Sequence, residues 1–307
     1  MTDTQLYLIS PPHIELAAFA EQLEEVLHAS SSLYIGTRSE SEDEPALSVS
    51  EANSPCESQQ TFTGQNNKTS PRPAPQAVGQ LVGAFQLRLK DADDTQITEA
   101  INALMPICHA HEVAFIINDR VDLCLKHNCD GVHVGQEDLL NSLNKDTQGE
   151  DSMSERAISP QSGASCASQE TSTEAIKKIR EQLAEDMVLG ITCHASKHLA
   201  MEAAEAGANY VAFGAFYPTT SKPIEKLEKW GTPTPDMLEW WTTWTEIPCV
   251  AIGGITPDNC APLIEAGTDF IAMINAVWSH PNGPAAAVEE FKKQVDKHAI
   301  SPTKSAN

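Results

Sequence analysis

Val113-Ala-Phe-Ile-Ile-Asn-Asp-Arg-Val-Asp-Leu-Cys-Leu-Lys-His-Asn-Cys-Asp-Gly-Val-His-Val134 contains two short apolar runs with an amphipathic segment between them. Val113–Ile117 is apolar at every position, the composition of a strand covered on both faces. Val121–His127 places apolar residues at helical spacing, and Gly131–Val134 is strand-like again. Two such strands joined through a helix must run parallel, because a helix returns the chain to the same end of the sheet.

Outward from this unit the same alternation fills the chain. Toward the N-terminus lie an apolar strand at Leu6–Ile9, an amphipathic run at Ile14–Leu27, a strand at Gly83–Leu89 and a helix at Thr95–His109. Toward the C-terminus, helices are expected at Thr173–Leu183, Lys197–Ala206, Pro235–Trp244, Asp258–Ala266 and Pro284–His298. Between them fall strands at Met187–Ile191, Tyr210–Phe213, Pro248–Ile252 and Phe270–Ile274. Eight strands alternating with helical segments predict an α/β fold, a closed (β/α)8 TIM barrel in one domain over 1–307, with its site at the strand C-termini. The rival is an open doubly wound sheet. No G-x-G-x-x-G follows an early strand, which weakens its dinucleotide-binding form.

Two stretches fall outside the pattern. Residues 30–80 and 141–172 are rich in Ser, Pro, Gln and Asn and poor in large apolar residues. Such segments cannot bury enough surface to offset the entropy of ordering, and they read as low-complexity insertions. The net charge is −23, from 43 acidic and 20 basic residues, which argues against a general nucleic-acid binder but leaves room for a local cationic pocket. No apolar run approaches the ~20 residues needed to span a bilayer. Met1-Thr-Asp-Thr-Gln5 has no basic n-region, so no membrane partner and a cytoplasmic location are expected. None of the 8 cysteines forms a C-x-x-C pair, which argues against a zinc ribbon. A homo-oligomer is compatible with the sequence but not derivable from it.

The polar residues gather where the strands end. Gln86, Arg88 and Lys90 alternate with Leu87 and Leu89, so the three polar side chains share one face. Two cations and an amide in a row suit a pyrophosphate, although a polar edge strand in ion pairs would look the same. Asp119 and Asp138 follow successive strands, which lie ~4.8 Å apart in a sheet. Two converging carboxylates suit Mg²⁺, which takes one or two of them and completes its shell with water and phosphate oxygens. Singly, Asp119 also reads as a helix N-cap and Asp138 as a solvated loop acid. His133 reads first as a satisfied core histidine and second as a substrate contact, and His194 as a cap or a pocket residue. Thr219, Thr220, Ser221 and Lys222 suit an anion, and Gly253-Gly254 would let a phosphate approach backbone N–H groups. Loops after the seventh and eighth barrel strands are a recurrent phosphate site. Two anion sites, one cationic and one built from backbone, imply a pair of small phosphorylated substrates.

Gln86-Leu-Arg-Leu-Lys90, Ile117-Asn-Asp119, Asp130-Gly-Val-His-Val-Gly-Gln-Glu-Asp138, Gly190-Ile-Thr-Cys-His194, Tyr217-Pro-Thr-Thr-Ser-Lys222 and Ala251-Ile-Gly-Gly-Ile255 together resemble the thiamine-phosphate synthase family, in its motif order. The resemblance implies that Gln86, Leu87, Arg88, Leu89, Lys90 and Asn118 bind an aminopyrimidine pyrophosphate, with Thr192 and Lys222 facing the same substrate. It implies Mg²⁺ on Asp119 and Asp138. It implies a thiazole phosphate on Thr219, Thr220, Ser221, Gly254, Ile274 and Asn275. The chain departs from the commoner family pattern at Gly214-Ala-Phe-Tyr-Pro218, where Gly-Pro-Ile-Phe-Pro is frequent, at Asn275, where Ser is usual, and over Pro223–Trp230.

The reaction so implied releases pyrophosphate from the pyrimidine methylene, after which the thiazole nitrogen attacks that carbon. Arg88, Lys90 and Lys222 would be catalytic by neutralising charge on the leaving group. No protein nucleophile is required, which agrees with the lack of a recognisable triad. The alternatives are a thiazole tautomerase of the same fold, a non-catalytic sensor of phosphorylated ligands, and another phosphate-binding barrel enzyme such as an isomerase or aldolase. A tautomerase needs no pyrophosphate clamp or metal pair, and the last class usually needs an acid/base pair or a Schiff-base lysine.

Overall fold

The computed structural model describes residues 4–35, 80–135, 138–139, 172–219 and 230–299. The chain runs β1 (Gln5–Ile9), α1 (Leu16–Ile35), β2 (Val82–Leu87), α2 (Asp94–Ala110), β3 (Ala114–Asn118), α3 (Val121–His127), β4 (Gly131–Val134) and α4 (Ser172–Gln182). It continues with β5 (Val188–His194), α5 (Lys197–Glu205), β6 (Tyr210–Gly214), α6 (Pro235–Trp244), β7 (Cys249–Ile252), α7 (Ala261–Glu265), β8 (Phe270–Met273), α8 (Asn275–Trp278) and α9 (Pro284–His298). The strands are parallel, pair in sequence order, and close into a barrel where β8 meets β1. The predicted (β/α)8 barrel is therefore the observed fold.

Each strand is apolar on both faces because each face has its own core. Leu6 and Leu8 on β1, Phe85 and Leu87 on β2, and Phe115 and Ile117 on β3 point outward and pack under the helices. Tyr7, Ile9, Ala84, Ala114 and Ile116, their alternates, point inward with Tyr210, Ala212, Val250, Phe270 and Ala272. Small and large residues share this inner layer, so Tyr7, Tyr210 and Phe270 fill the floor of the barrel against alanines. Burying one Phe or Leu contributes roughly 1.5–3 kcal/mol. Above the floor the inward positions become Gln86, Asn118, His133 and Thr192, all lining one cavity. The strand period thus carries the site: the register that seals the floor lifts polar residues into the mouth.

Local sequence fixes the ends. α2 starts at a capping box, in which the Asp93 carboxylate accepts from Gln96 N at 2.8 Å and Asp93 N donates to Gln96 Oε1 at 3.0 Å. β2 ends at Leu87, two residues earlier than expected, because Arg88 N donates to Ser10 Oγ and Lys90 N to Pro12 O instead of continuing the ladder. β5 runs three residues further than expected, to His194. The segment expected to be helical from Asp258 is helical only over Ala261–Glu265. Asn259 folds back before it, with Oδ1 accepting from Thr256 N and Nδ2 donating to Gly254 O.

The boundary drawn at residue 30 falls inside α1. Ser30 is buried and its Oγ accepts from Val82 N at 3.1 Å, while Ser31 Oγ donates to Leu27 O within the helix. The serine run looks like low complexity, but its hydroxyls are satisfied locally. Most of the two insertions, 36–79 and 141–171, lies outside the described residues.

Candidate active site

A cavity of about 420 Å³ opens at the C-terminal ends of the strands. Gln86, Arg88, Lys90, Asn118, Asp119, Asp138 and Thr192 all line it, as do Thr219, Gly254, Ile274 and Asn275. Arg88, Asp119 and Asp138 therefore share one space, as the sequence requires of them. Thr220, Ser221 and Lys222 lie outside the described residues. Leu87 and Leu89 turn the other way. Leu87 is buried in the outer core and Leu89 packs against it, so strand alternation keeps both side chains out of the cavity. A contact of either with a ligand has to be a backbone one, in keeping with the strand alternation that turns both leucines toward the helices.

The acidic corner is built by β3 and β4. Asp119 N donates to His133 O at 2.8 Å, a link that ties the end of β3 to its neighbour. Asp119 takes φ 59°, the left-handed region that Asp tolerates better than most residues. The helix that follows is capped at Arg120 rather than Asp119, and with no side-chain cap, so the N-cap reading of Asp119 does not hold. Its carboxylate is instead held by two neighbours, one of them braced by a third residue. Gly135 N donates to Oδ1 at 3.0 Å, Asn118 Nδ2 donates to Oδ2, and Gln86 Nε2 donates to Asn118 Oδ1 at 2.6 Å. Gln86 and Asn118 thereby orient the acid as well as facing the cavity.

The charges interact. Burial pushes the Asp119 carboxyl above the usual carboxylate range and nearby Asp138 adds to this, while the Gly135 N–H, Arg88 and Asn118 oppose it. Burial lowers the Arg88 pKa, and Asp119 and Asp138 hold it up. A cation and two acids thus sit within electrostatic reach in a half-buried space.

These residues fit a Mg²⁺ ion. A Cβ placed on Gly135 would lie 3.0 Å from Asp138 Oδ2 and 3.8 Å from Asp119 Oδ1, so both carboxylates face one gap that glycine leaves open. Two acids and an open side match an ion that keeps waters and shares phosphate oxygens. No cage of three or more His, Cys, Asp or Glu occurs among the described residues.

The opposite wall is built around glycines. Gly253 and Gly254 take φ 104° and 65°. A Cβ on Gly254 would lie 2.4 Å from Pro218 O, and one on Gly253 would lie 2.3 Å from the Ala215 Cβ. Only glycine fits this crossing of the loops after β6 and β7. Ile274 and Asn275 stand beside it at the end of β8.

Two features escaped the sequence reading. Trp230 lies in the cavity and stacks on His194 at 4.6 Å between centroids and 2° between planes. Ser196, not His194, caps α5, so His194 is a pocket residue, held at φ 53°. His133 is a satisfied core histidine, 8% exposed and bonded through both ring nitrogens, and it also lines the cavity. Its partner Tyr210 was read only as the start of a strand. The signal was Gly190, whose position opposite His133 leaves room for the phenol.

Known proteins share this architecture. The family model described as "Thiamine monophosphate synthase" matches residues 60–153 and 168–277. The chain is 36% identical over 293 residues to a thiamine-phosphate synthase of Rhodospirillum centenum, covering 95% of this chain and 98% of that protein. It is 45% identical over 215 residues to the Erythrobacter litoralis thiamine-phosphate synthase, covering 70% of this chain and 82% of that one. Among solved structures, a thiamine phosphate pyrophosphorylase from Pyrococcus furiosus superposes with a TM-score of 0.57 at 22% identity, over 95% of this chain and 96% of that one. That likeness speaks for the barrel alone. Family model and relatives together span nearly the whole chain, and the chain belongs to the thiamine-phosphate synthase family.

Proposed function

We propose that this chain joins an aminopyrimidine pyrophosphate to a thiazole phosphate, giving thiamine phosphate and pyrophosphate, at the cavity shared by Arg88, Asp119 and Asp138. The observation that carries the reading is that cavity's polarity: cation and paired acids on one side, a glycine-walled crossing on the other. In this reading Asp119 and Asp138 hold Mg²⁺. When bound, the ion supplies positive charge against the leaving pyrophosphate.

The protein's own part is positioning and charge. Arg88 and Lys90 bind the diphosphate and counter the negative charge that grows on it as the methylene carbon–oxygen bond breaks. Lys222 has the same role. Gln86 and Asn118 hold Asp119 in place and present amides to the pyrimidine, and Thr192 faces the same substrate. Thr219, Thr220, Ser221, Gly254, Ile274 and Asn275 hold the thiazole phosphate, so that the ring nitrogen meets the methylene carbon. Orienting two substrates in one cavity is itself worth several kcal/mol. A cytoplasmic location belongs to this reading.

The test is direct. Mixing both phosphorylated substrates with the chain and Mg²⁺ should yield thiamine phosphate by mass and an equal amount of pyrophosphate. Binding of both substrates without product would leave a sensor instead, and product without pyrophosphate release would refute the chemistry.

A further inference from the structure

A polar chain runs down the barrel axis beneath the cavity. His133 Nε2 lies 2.8 Å from Thr192 Oγ1, and His133 Nδ1 lies 2.9 Å from the Tyr210 hydroxyl. That hydroxyl lies 2.9 Å from the Tyr7 hydroxyl. Thr192 and His133 line the upper cavity, while Tyr7 and Tyr210 also line a second cavity, of about 260 Å³, below the floor. The imidazole and the Tyr210 ring stack at 5.6 Å and 22°. The arrangement has a dedicated space: a Cβ on Gly190 would lie 2.0 Å from Tyr210 Cζ and 2.3 Å from its hydroxyl.

Each of the three links takes one hydrogen, so with a neutral imidazole the chain has two polarities. In the first, Tyr7 donates to Tyr210, Tyr210 donates to His133 Nδ1, and His133 Nε2–H donates to Thr192. Every buried hydrogen then has an acceptor, and the Thr192 hydrogen is left for the cavity. In the second, Thr192 donates to Nε2, Nδ1–H donates to Tyr210, and Tyr210 donates to Tyr7. The Tyr7 hydrogen then has no protein acceptor, since Tyr210 is the only hydrogen-bond partner of that hydroxyl among the described residues. A buried donor without a protein acceptor favours the first polarity over the second. Burial raises the pKa of both phenols, so both remain hydroxyls at neutral pH.

We infer that Tyr210, backed by Tyr7, is a positioning residue: it holds His133 as the Nε2–H tautomer, so that Thr192 presents its hydroxyl hydrogen to a phosphate oxygen of the pyrimidine pyrophosphate. The identity of that acceptor rests on the reaction proposed above; the tautomer does not.

The experiment has a spectroscopic arm and a kinetic arm. The full chain, labelled with nitrogen-15 histidine and free of substrate, should show His133 with a bare Nδ1 and a protonated Nε2. Its signals are identified by their loss in His133→Gln. A protonated Nδ1 would overturn the inference whatever the kinetics. With Mg²⁺ and both substrates, Tyr210→Phe keeps the ring and should lower kcat by about tenfold, leaving KM for the thiazole phosphate within about twofold. Thr192→Val should fall at least as far, Thr192→Ser should keep most of the turnover, and Tyr210→Phe combined with Thr192→Val should fall no further than Thr192→Val alone. Undiminished kcat in Tyr210→Phe, or losses that simply multiply in the double variant, would sink the inference while the reaction stands. Wild-type chain with the expected tautomer but no thiamine phosphate would instead remove the reaction, and the phosphate acceptor with it.

Discussion

The two walls of the cavity are built by opposite means. Between β2 and β4 the wall is side chains: Gln86, Arg88, Asn118, Asp119 and Asp138, linked by hydrogen bonds and mutual charge. Between β6 and β8 it is built around Gly214, Gly253 and Gly254, with φ above zero at the last two and no room for a Cβ at any of them, beside Thr219, Ile274 and Asn275. A side-chain wall can place net charge and a metal where a diphosphate leaves. A backbone wall offers shape and N–H dipoles that stay the same throughout the reaction. The first wall should therefore govern kcat and the diphosphate, the second the affinity for the other phosphate.

Asp119→Asn is the strongest test of that division. Asparagine tolerates φ 59° and preserves the shape, so the fold should melt as before, while the charge is gone. Turnover with Mg²⁺ should drop by roughly a hundredfold or more. Full activity would remove the metal assignment. Arg88→Ala comes next: KM for the pyrimidine pyrophosphate should rise by about 10- to 100-fold, the scale of a lost charged hydrogen bond, with the thiazole phosphate changed far less. An equal change for both substrates would break the two-wall comparison.

Gly254→Ala probes the other wall. The new methyl would meet Pro218 O and Tyr217 O in a backbone at φ 65°, so the loop must shift. We expect KM for the thiazole phosphate to rise by about tenfold and stability to fall by roughly 1–3 kcal/mol. Steady-state kinetics with each substrate varied in turn, alongside thermal melting, would measure both. A rise confined to the pyrimidine substrate would reverse the assignment of the walls.

The same contrast explains what was legible in the sequence. Strand period and charge are written residue by residue, so Gln86, Arg88, Asp119 and Asp138 could be placed on one mouth before any coordinates. The barrel followed from eight repeats of one pattern. The Tyr7–Tyr210–His133–Thr192 chain was not legible, because its members come from β1, β6, β4 and β5 and meet only when the barrel closes. Taken singly, each tyrosine is an ordinary apolar strand residue. The end of α1 was misplaced because Ser30 and Ser31 resemble a linker by composition and are helical by contact. The outward turn of Leu87 and Leu89 was legible from alternation, whereas a binding role for them follows from the family motif alone.

Trp230 belongs to neither wall and should give the smallest effect. It lies face to face with His194, at the end of β5, and its ring closes part of the cavity. An aromatic stack of this kind contributes roughly 0.5–1.5 kcal/mol beyond its buried area, and it carries no charge toward the diphosphate. Trp230→Ala should therefore raise KM for both substrates by a similar, few-fold amount and leave kcat nearly unchanged, and Trp230→Phe should recover most of the loss. If Trp230→Ala instead raised KM for one substrate alone by tenfold or more, the indole would be part of that substrate's wall, and the boundary between the side-chain and backbone halves would have to be redrawn through β5.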